Sequence, residues 1–204
     1  MRGTGSVGAM DVSAYWDARA DIFDAEPDHG LRDPAVRSAW SALLGPLLPP
    51  TPATVADVGS GTGSLAVLLA GAGYRVQGLD ISARMVDVAR AKAADAGVDA
   101  TFRTGDAARP PWPAGTFDVV LVRHVLWAMP DADAALAAWL DLLAPGGRLL
   151  LIEGRWHTGA GLTAASATEL VRRHRAHADV TVLDDAQLWG GPIADERYLV
   201  ASTA

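Results

Sequence analysis

Three glycines in the segment VADVGSGTGSLAVLLA, residues 55–70, stand at alternate positions between an apolar run and a helix-like pattern. Glycine tolerates positive φ angles and lets the backbone approach a ligand closely. The start of the following helix offers free N–H groups. The segment therefore predicts a turn that cradles a ligand, and the candidates are a nicotinamide dinucleotide, a phosphate and S-adenosylmethionine.

The spacing of the glycines separates these candidates. Gly59, Gly61 and Gly63 form the pattern G-x-G-x-G, and Ser64 stands where the dinucleotide fingerprint G-x-G-x-x-G has its third glycine. A Walker phosphate loop needs a lysine directly after its last glycine, and this segment contains no lysine. The turn therefore departs from both established phosphate-binding patterns.

Two aspartates accompany the turn. Asp57 lies two residues before Gly59 at the end of an apolar strand, where its charge would repel a pyrophosphate but attract a cation. Asp80 ends the second predicted strand, 21 residues after Gly59, where an acid can grip ribose hydroxyls.

Alternating strand and helix patterns must position these residues. After the breaker cluster LLPPTPAT, the predicted strands are TVADV, YRVQGLD, VDATFRTGD, TFDVVLVRHV and GGRLLLIEG, and the predicted helices are SLAVLLAGAG, ARMVDVARAKAADAG and DADAALAAWLDLLA. This alternation predicts an α/β fold with a doubly wound, mostly parallel sheet. The final third adds a helix over about 164–176 and two strands in DVTVLDD and DERYLVAS, which makes seven strands.

The front of the chain reads as a helical cap over residues 11–50. One helix is predicted around 12–23, and a second over 34–48, with Asp33 as its cap and Pro34 in its first turn. The first ten residues, MRGTGSVGAM, lack the apolar core of a signal peptide and are predicted to be a flexible leader. Residues 51–204 then form the ligand-binding domain, as one structural unit with the cap.

Composition narrows the class of partner. The chain has 204 residues and a net charge of −7, which disfavours a nucleic-acid partner. No apolar run reaches the ~18 residues of a membrane span. Cysteine is absent, which removes thiolate metal ligands and a cysteine nucleophile and fits a cytoplasmic setting. We expect a small-molecule substrate, no metal, no membrane partner, and a monomer or homodimer.

Four segments, in order, resemble the motifs of class I S-adenosylmethionine-dependent methyltransferases, in particular small bacterial enzymes that act on metabolites and natural products. They are VADVGSGTG for the glycine-rich motif, VQGLDIS for the ribose-binding acid, RTGDAARPPWPAGTFDVVLVRHVLWAMPD for the adenine-contacting segment, and LLAPGGRLLLIEG for the fifth strand. The segment YWDARADIFD resembles their N-terminal cap. The resemblance implies a Rossmann-like fold, with S-adenosyl-L-methionine as cofactor and S-adenosyl-L-homocysteine as product.

The resemblance also implies which residues bind the cofactor. They are Tyr15, Trp16, Arg19, Asp57, Gly59, Ser60, Gly61, Gly63, Asp80, Ile81, Met85, Asp106, Ala107 and Arg123. The glycine turn, Asp57 and Arg123 would lie near the methionine end, and Asp80 would accept the ribose hydroxyls. Asp106 and its neighbours would contact adenine, and the front residues would close the pocket.

Methyl transfer by in-line displacement depends first on positioning, and a base is optional. His124, at the end of the fourth strand, is the best candidate for a catalytic base, with a structural histidine as the alternative. His29, Trp127, Glu153 and His157 are predicted to contact the substrate. Trp127 stands where the family often has a histidine, which suggests an aromatic wall formed by Trp112, Trp127, Trp156 and Trp189.

The leading hypothesis is methylation of an oxygen or nitrogen atom of a small molecule, of the kind found in natural-product metabolism. An NAD(P)-dependent oxidoreductase on a Rossmann domain is the first alternative, and a non-catalytic cofactor-binding module is the second. Ser64 and Asp57 argue against the first alternative, and the presence of Asp57, Asp80 and Asp106 argues against the second.

Overall fold

A seven-stranded sheet organises the protein in the computed structural model, which describes residues 12–203. The strands are β1 (Thr54–Val58), β2 (Arg75–Asp80), β3 (Ala100–Thr104), β4 (Phe117–Arg123), β5 (Leu143–Arg155), β6 (Asp179–Val182) and β7 (Glu196–Thr203). Their order is β3-β2-β1-β4-β5-β7-β6. Strands β1 to β5 run parallel, and β7 runs antiparallel to both of its neighbours. The predicted α/β fold with a mostly parallel, seven-stranded sheet is confirmed, while the predicted leader lies outside the described residues.

Helices flank the sheet and precede it. They are α1 (Val12–Asp17), α2 (Ala20–Phe23), α3 (Pro27–Gly30), α4 (Pro34–Leu44), α5 (Ser64–Gly71), α6 (Ala83–Ala96), α7 (Ala132–Asp141), α8 (Ala164–His174) and α9 (Ala186–Trp189). Among the described residues, no helix has the length and apolar character that a bilayer crossing requires.

The helical front piece is more broken than the sequence predicts. In place of one helix over 12–23, α1 ends at Asp17, where the Arg19 guanidinium donates to the Tyr15 carbonyl over 3.0 Å. A side chain therefore satisfies a carbonyl that a continuing helix would use. Helix α4 ends at Leu44 because Gly45–Leu47 forms a 3-10 turn that contains a proline. The four-residue helix α9 was not predicted.

Side-chain caps fix the residues at which helices α4 and α6 begin. The Asp33 carboxylate accepts the Ala35 N–H over 2.8 Å, as predicted for α4. The Ser82 hydroxyl accepts the Met85 N–H over 3.0 Å and caps α6, which leaves Asp80 available for another role.

The central strands are buried on both faces. Along β4, Val119 and Leu121 pack into the apolar cluster under α4, α5 and α6, whereas Val120 and Val122 pack into the cluster under α7 and α8. Strand β5 alternates in the same way. Because neither face meets water, the apolar runs VVLV and LLLI are continuous rather than alternating with polar residues.

Four aspartates fasten the front helices to the sheet, and we call them the acidic row: Asp17, Asp21, Asp24 and Asp28. Their partners are Ser82 for Asp17, Arg84 for Asp21, Lys92 and Thr62 for Asp24, and Arg123 for Asp28. The row contacts α6, the glycine turn and the end of β4. The front helices are therefore fixed against the elements that the sequence assigns to ligand binding.

The ion pair between Lys92 and Asp24 is the most protected member of the row that reaches α6. Nζ lies 2.7 Å from the carboxylate, and the side chains are 22% and 9% exposed. We expect Lys92→Met to lower the free energy of unfolding by about 2 kcal/mol, because it strands a mostly buried carboxylate. Urea denaturation measures this change.

The exposed pair between Arg84 and Asp21 provides the matched control. Its side chains are 57% and 73% exposed, so water screens the pair. Arg84→Met should have a much smaller effect, and adding Asp24→Asn to Lys92→Met should restore part of the loss. Equal losses for the two single variants would contradict a special role for Lys92.

Candidate active site

A cavity of about 620 Å³ opens beyond the carboxyl ends of β1, β2 and β4, under the front helices. In doubly wound sheets, ligands bind at this edge. The sequence-predicted site residues that line it are Tyr15, Trp16, Arg19, His29, Asp57, Gly59, Ser60, Gly61, Asp80, Ile81, Met85, Asp106, Ala107, Arg123, His124 and Trp127. The fold therefore brings most of the predicted set to one place.

Three predicted site residues do not line the cavity. Gly63 lies beneath it, where a side chain would come within 2.9 Å of Phe102, so this glycine permits close packing. Glu153 is fully buried on β5 and accepts the Leu126 N–H over 2.6 Å. His157 lies at the surface with its ring 81% exposed and 3.3 Å from Asp195. Strand β5 continues past Glu153 to Arg155, which carries His157 away from the cavity.

The glycine turn has the backbone geometry that only glycine adopts easily. Gly59 has φ 74° and Gly61 has φ 53°. A Cβ atom on Gly59 would collide with the Val125 side chain. The N–H groups of Gly59 and Ser60 both donate to the Leu79 carbonyl, over 2.7 and 2.9 Å, which fastens the turn to β2.

Asp80 connects the turn to α6. One carboxylate oxygen accepts the Gly61 N–H over 2.8 Å, and the other accepts the Ser82 N–H over 2.9 Å. An ionised carboxylate offers about four acceptor positions, so about two stay free for a ligand. Burial raises the pKa of Asp80, and the two backbone donors oppose that change.

Asp57 is buried at the end of β1. Burial, and next the charge of Asp80, raise the pKa of Asp57 to about 7, whereas Arg123 acts in the opposite direction. A cationic ligand beside this carboxylate would favour its ionised form. Asp57 is therefore a group whose charge depends on what the cavity contains.

Arg123 leaves the end of β4 and is occupied by a partner that the sequence did not reveal. Its guanidinium donates to the Asp28 carboxylate over 2.7 Å and to the Asp28 carbonyl over 2.8 Å. The same group lies 4.6 Å from the Trp40 ring centre. This pairing secures α3 to the sheet edge and gives Arg123 one orientation.

His124 has an unusual backbone and an uncharged ring. Its φ angle is 58°, in the left-handed region that residues other than glycine rarely adopt. Burial, followed by the charges of Arg123 and Arg197, lowers the pKa of His124 well below its usual value. The imidazole is therefore neutral near pH 7, which suits a hydrogen-bonding role better than that of a strong base.

The predicted aromatic wall is only half present. Trp127 and Trp156 line the cavity, and their ring centres lie 5.2 Å apart. Trp112 instead packs on Phe117, and Trp189 packs on Trp40 in the core.

Sequence reasoning missed several lining residues. They are Val12, Ile22, Phe23, Glu26, Asp28, Thr62, Ser64, Leu65, Val125, Ala128, Met129 and Arg197. A signal existed for Asp28, since acids recur at helical spacing along the front piece. Arg197 carried no such signal, because only the reversed direction of β7 brings it to this edge of the sheet.

Comparisons with known proteins find similarity to methyltransferases. A family model described as "Methyltransferase domain" matches residues 56–151. The chain is similar to demethylmenaquinone methyltransferase of Thermus thermophilus, with 36% identity over 104 residues, 50% of this chain and 47% of that protein. It is also similar to nocamycin O-methyltransferase of Saccharothrix syringae, with 37% identity over 139 residues, 66% of this chain and 48% of that protein. The chain thus spans about half the length of these curated relatives.

A solved structure shows the same fold. It is that of Haemonchus contortus phosphoethanolamine N-methyltransferase 2, in complex with phosphomonomethylethanolamine and S-adenosylhomocysteine. The TM-score is 0.69 at 17% identity, covering 81% of this chain and 52% of that one. At this identity the likeness concerns the fold alone.

The raised pKa of Asp57 predicts a pH-dependent stability. The folded state keeps a proton on Asp57 up to about pH 7, whereas the unfolded chain releases it near the ordinary value of 3.8. This contribution to stability is therefore full at low pH and is lost as pH rises toward and through 7. Asp57→Asn should raise the melting temperature by about a few degrees at pH 8 and by little at pH 4. The melting temperature of each protein is measured at several pH values between 4 and 8. A difference between wild type and Asp57→Asn that stays constant over this range would contradict the burial of an ionisable group at Asp57.

Proposed function

Because this chain belongs to the class I S-adenosylmethionine-dependent methyltransferases, we propose that it methylates an oxygen or nitrogen atom of a small molecule of the natural-product type. One observation carries the proposal. The positive-φ glycine turn after β1 and the carboxylates of Asp57 and Asp80 face the same cavity. A small-molecule acceptor, a cytoplasmic setting and a monomer or homodimer without nucleic acid remain our expectation.

The residues of the cavity fit the cofactor. Asp80 has unused acceptor positions for ribose hydroxyls, and Asp57 offers a carboxylate to a cation. Ile81 and Met85 provide apolar surface for a purine. Ser60 also lines the cavity, and its hydroxyl is buried without a partner among the described residues. When bound, S-adenosylmethionine would supply an electrophilic methyl group to the acceptor atom.

The chain's own contribution is positioning and exclusion of water. The front helices cover the cavity and are fixed by the acidic row, so an acceptor lies in a confined space. Positioning of two reactants can supply ~7–11 kcal/mol of the barrier reduction. Neutral His124 can accept a hydrogen bond from an acceptor hydroxyl or amine and orient its lone pair.

The oxidoreductase alternative is weakened by the sheet order. Dinucleotide-binding folds of the Rossmann type have the strand order 3-2-1-4-5-6. Here the antiparallel β7 lies between β5 and β6.

The second alternative is a non-catalytic module, which would bind the cofactor but would not convert it to product. Acceptor-dependent formation of S-adenosylhomocysteine, measured with phenols, amines and cyclic dipeptides, tests the proposal directly, and failure of every such class would favour the module.

Asp80→Asn should weaken the binding of S-adenosylhomocysteine by more than tenfold, because the ribose hydroxyls would lose a charged acceptor. Isothermal titration calorimetry measures the affinity. Asp87→Asn is the control, since Asp87 is exposed on α6 outside the cavity. Equal affinities for wild type and Asp80→Asn, or tight binding of NADH in place of S-adenosylhomocysteine, would refute the proposed assignment.

A variant of His124 can distinguish the role of the imidazole ring from the effect of the left-handed backbone at this position. Asparagine tolerates the left-handed region, so His124→Asn removes the imidazole with little added backbone strain. We expect kcat to fall by about tenfold or more, with an affinity for S-adenosylhomocysteine close to that of wild type. An unchanged kcat on a productive acceptor would leave positioning by the other residues as the whole mechanism.

A further inference from the structure

One end of the cavity holds polar atoms that the proposed cofactor site does not use. Arg197 Nε and His124 Nδ1 are buried and have no hydrogen-bond partner among the described residues. Both side chains line the cavity together with Trp127 and Trp156. We call these four residues the aromatic–arginine end, which lies after the last residues of β4 and β5 and at the start of β7.

The guanidinium of Arg197 is fixed in orientation and still has a donor to offer. Its side chain is only 10% exposed, and Nη2 donates to the Asp195 carboxylate over 3.0 Å. Nη1 donates to the Glu196 carbonyl over 3.4 Å. Arginine nitrogens can donate but never accept. Nε–H is therefore the donor of this side chain that has no acceptor among the described residues, and the side chain lines the cavity.

Two guanidinium groups lie near this end of the cavity, and each is also paired with a carboxylate. The positive charges of Arg123 and Arg197 both lower the pKa of His124, so the two guanidiniums act on the same space. Arg123 is paired with Asp28, and Arg197 is paired through Nη2 with Asp195, which leaves Nε–H of Arg197 for an acceptor oxygen. Hydrogen bonds from guanidinium to an anionic oxygen are roughly twice as strong as neutral ones.

The walls of this end are flat and apolar. The rings of Trp127 and Trp156 lie 5.2 Å apart at an angle of 61°, and Trp127 is 39% exposed. The His124 ring lies 5.3 Å from Trp156, and the Arg197 guanidinium lies 5.0 Å from the centre of the same ring. A large indole left exposed in a cavity mouth is suited to contact with another ring.

We propose that the aromatic–arginine end binds the methyl acceptor as a planar aromatic compound bearing an acidic oxygen, with the oxygen on Arg197 and the ring against Trp127 and Trp156. This inference rests on the proposed function. Phenolates and aryl carboxylates share the required chemistry. The methionine carboxylate of the cofactor is the other source of an anionic oxygen, and the experiment separates it.

The test compares matched probes by titration calorimetry, with and without saturating S-adenosylhomocysteine. The probes are 1-naphthoate, 1-naphthol, 1-naphthamide and the saturated analogue decahydronaphthalene-1-carboxylate. We expect naphthoate or naphthol to bind at least tenfold more tightly than the amide, and naphthoate more tightly than the saturated acid. Equal affinities of the amide and both acidic probes would overturn the proposal.

Three variants locate the contacts. Arg197→Met should abolish the preference for an acidic oxygen, and Trp156→Leu should abolish the preference of naphthoate over the saturated acid. Asp195→Asn should tighten naphthoate binding severalfold, because it removes a competing negative charge that lies outside the cavity. Because Asp195→Asn is expected to tighten binding rather than weaken it, this variant still tests the proposal if Arg197→Met folds poorly. Arg173→Met, on the exposed face of α8, is the control.

Two outcomes distinguish a failure of this proposal from a failure of the proposed function. Arg197→Met that weakens S-adenosylhomocysteine more than naphthoate would assign Arg197 to the methionine carboxylate and overturn this proposal alone. Wild-type protein that fails to bind S-adenosylhomocysteine would overturn the proposed function, while the probe preferences measured without it would still decide the chemistry of this end.

Discussion

The carboxylate of Asp80 is the interaction on which the geometry of the site depends. It accepts one N–H from the glycine turn and another from the start of α6. Two loops that leave neighbouring strands are thereby connected through a single side chain. Because both donors are backbone groups, the position of the carboxylate is fixed before any ligand binds. Asp80 also lines the cavity, so its remaining acceptor positions belong to a carboxylate that the backbone already holds in place.

The buried acids of the cavity reduce the stability of the ligand-free protein. Asp57 lies in an apolar strand end, near Asp80, and its pKa is raised to about 7 for that reason. A better packed core would carry an apolar residue at this position. A cation beside Asp57 would relieve the same unfavourable burial. A buried acid of this kind lowers the stability of the protein without a ligand, which is common at functional sites.

Much of the fold and part of the site follow from short-range patterns. The strand runs, the caps at Asp33 and Ser82, and the glycine turn depend on residues close together in sequence, so periodicity and turn chemistry predict them. The pairing of Arg123 with Asp28 joins residues that are 95 positions apart, and no local pattern predicts it. Glu153 and His157 were both predicted at the cavity because they follow the apolar run of β5. Where that strand ends, and which way each side chain points, depends on pairing with β7.

The reversed direction of β7 divides the cavity between two parts of the chain. Parallel strands deliver their last residues to this edge, while β7 delivers its first residues, including Arg197. The glycine turn and its aspartates all precede residue 81, whereas Trp127, Trp156 and Arg197 come later in the chain. The acceptor contacts proposed for Trp127, Trp156 and Arg197 could therefore change between homologues without a change in the glycine turn, Asp57 or Asp80. The segments that carry these three residues are the natural region for diversification and for engineering new specificities.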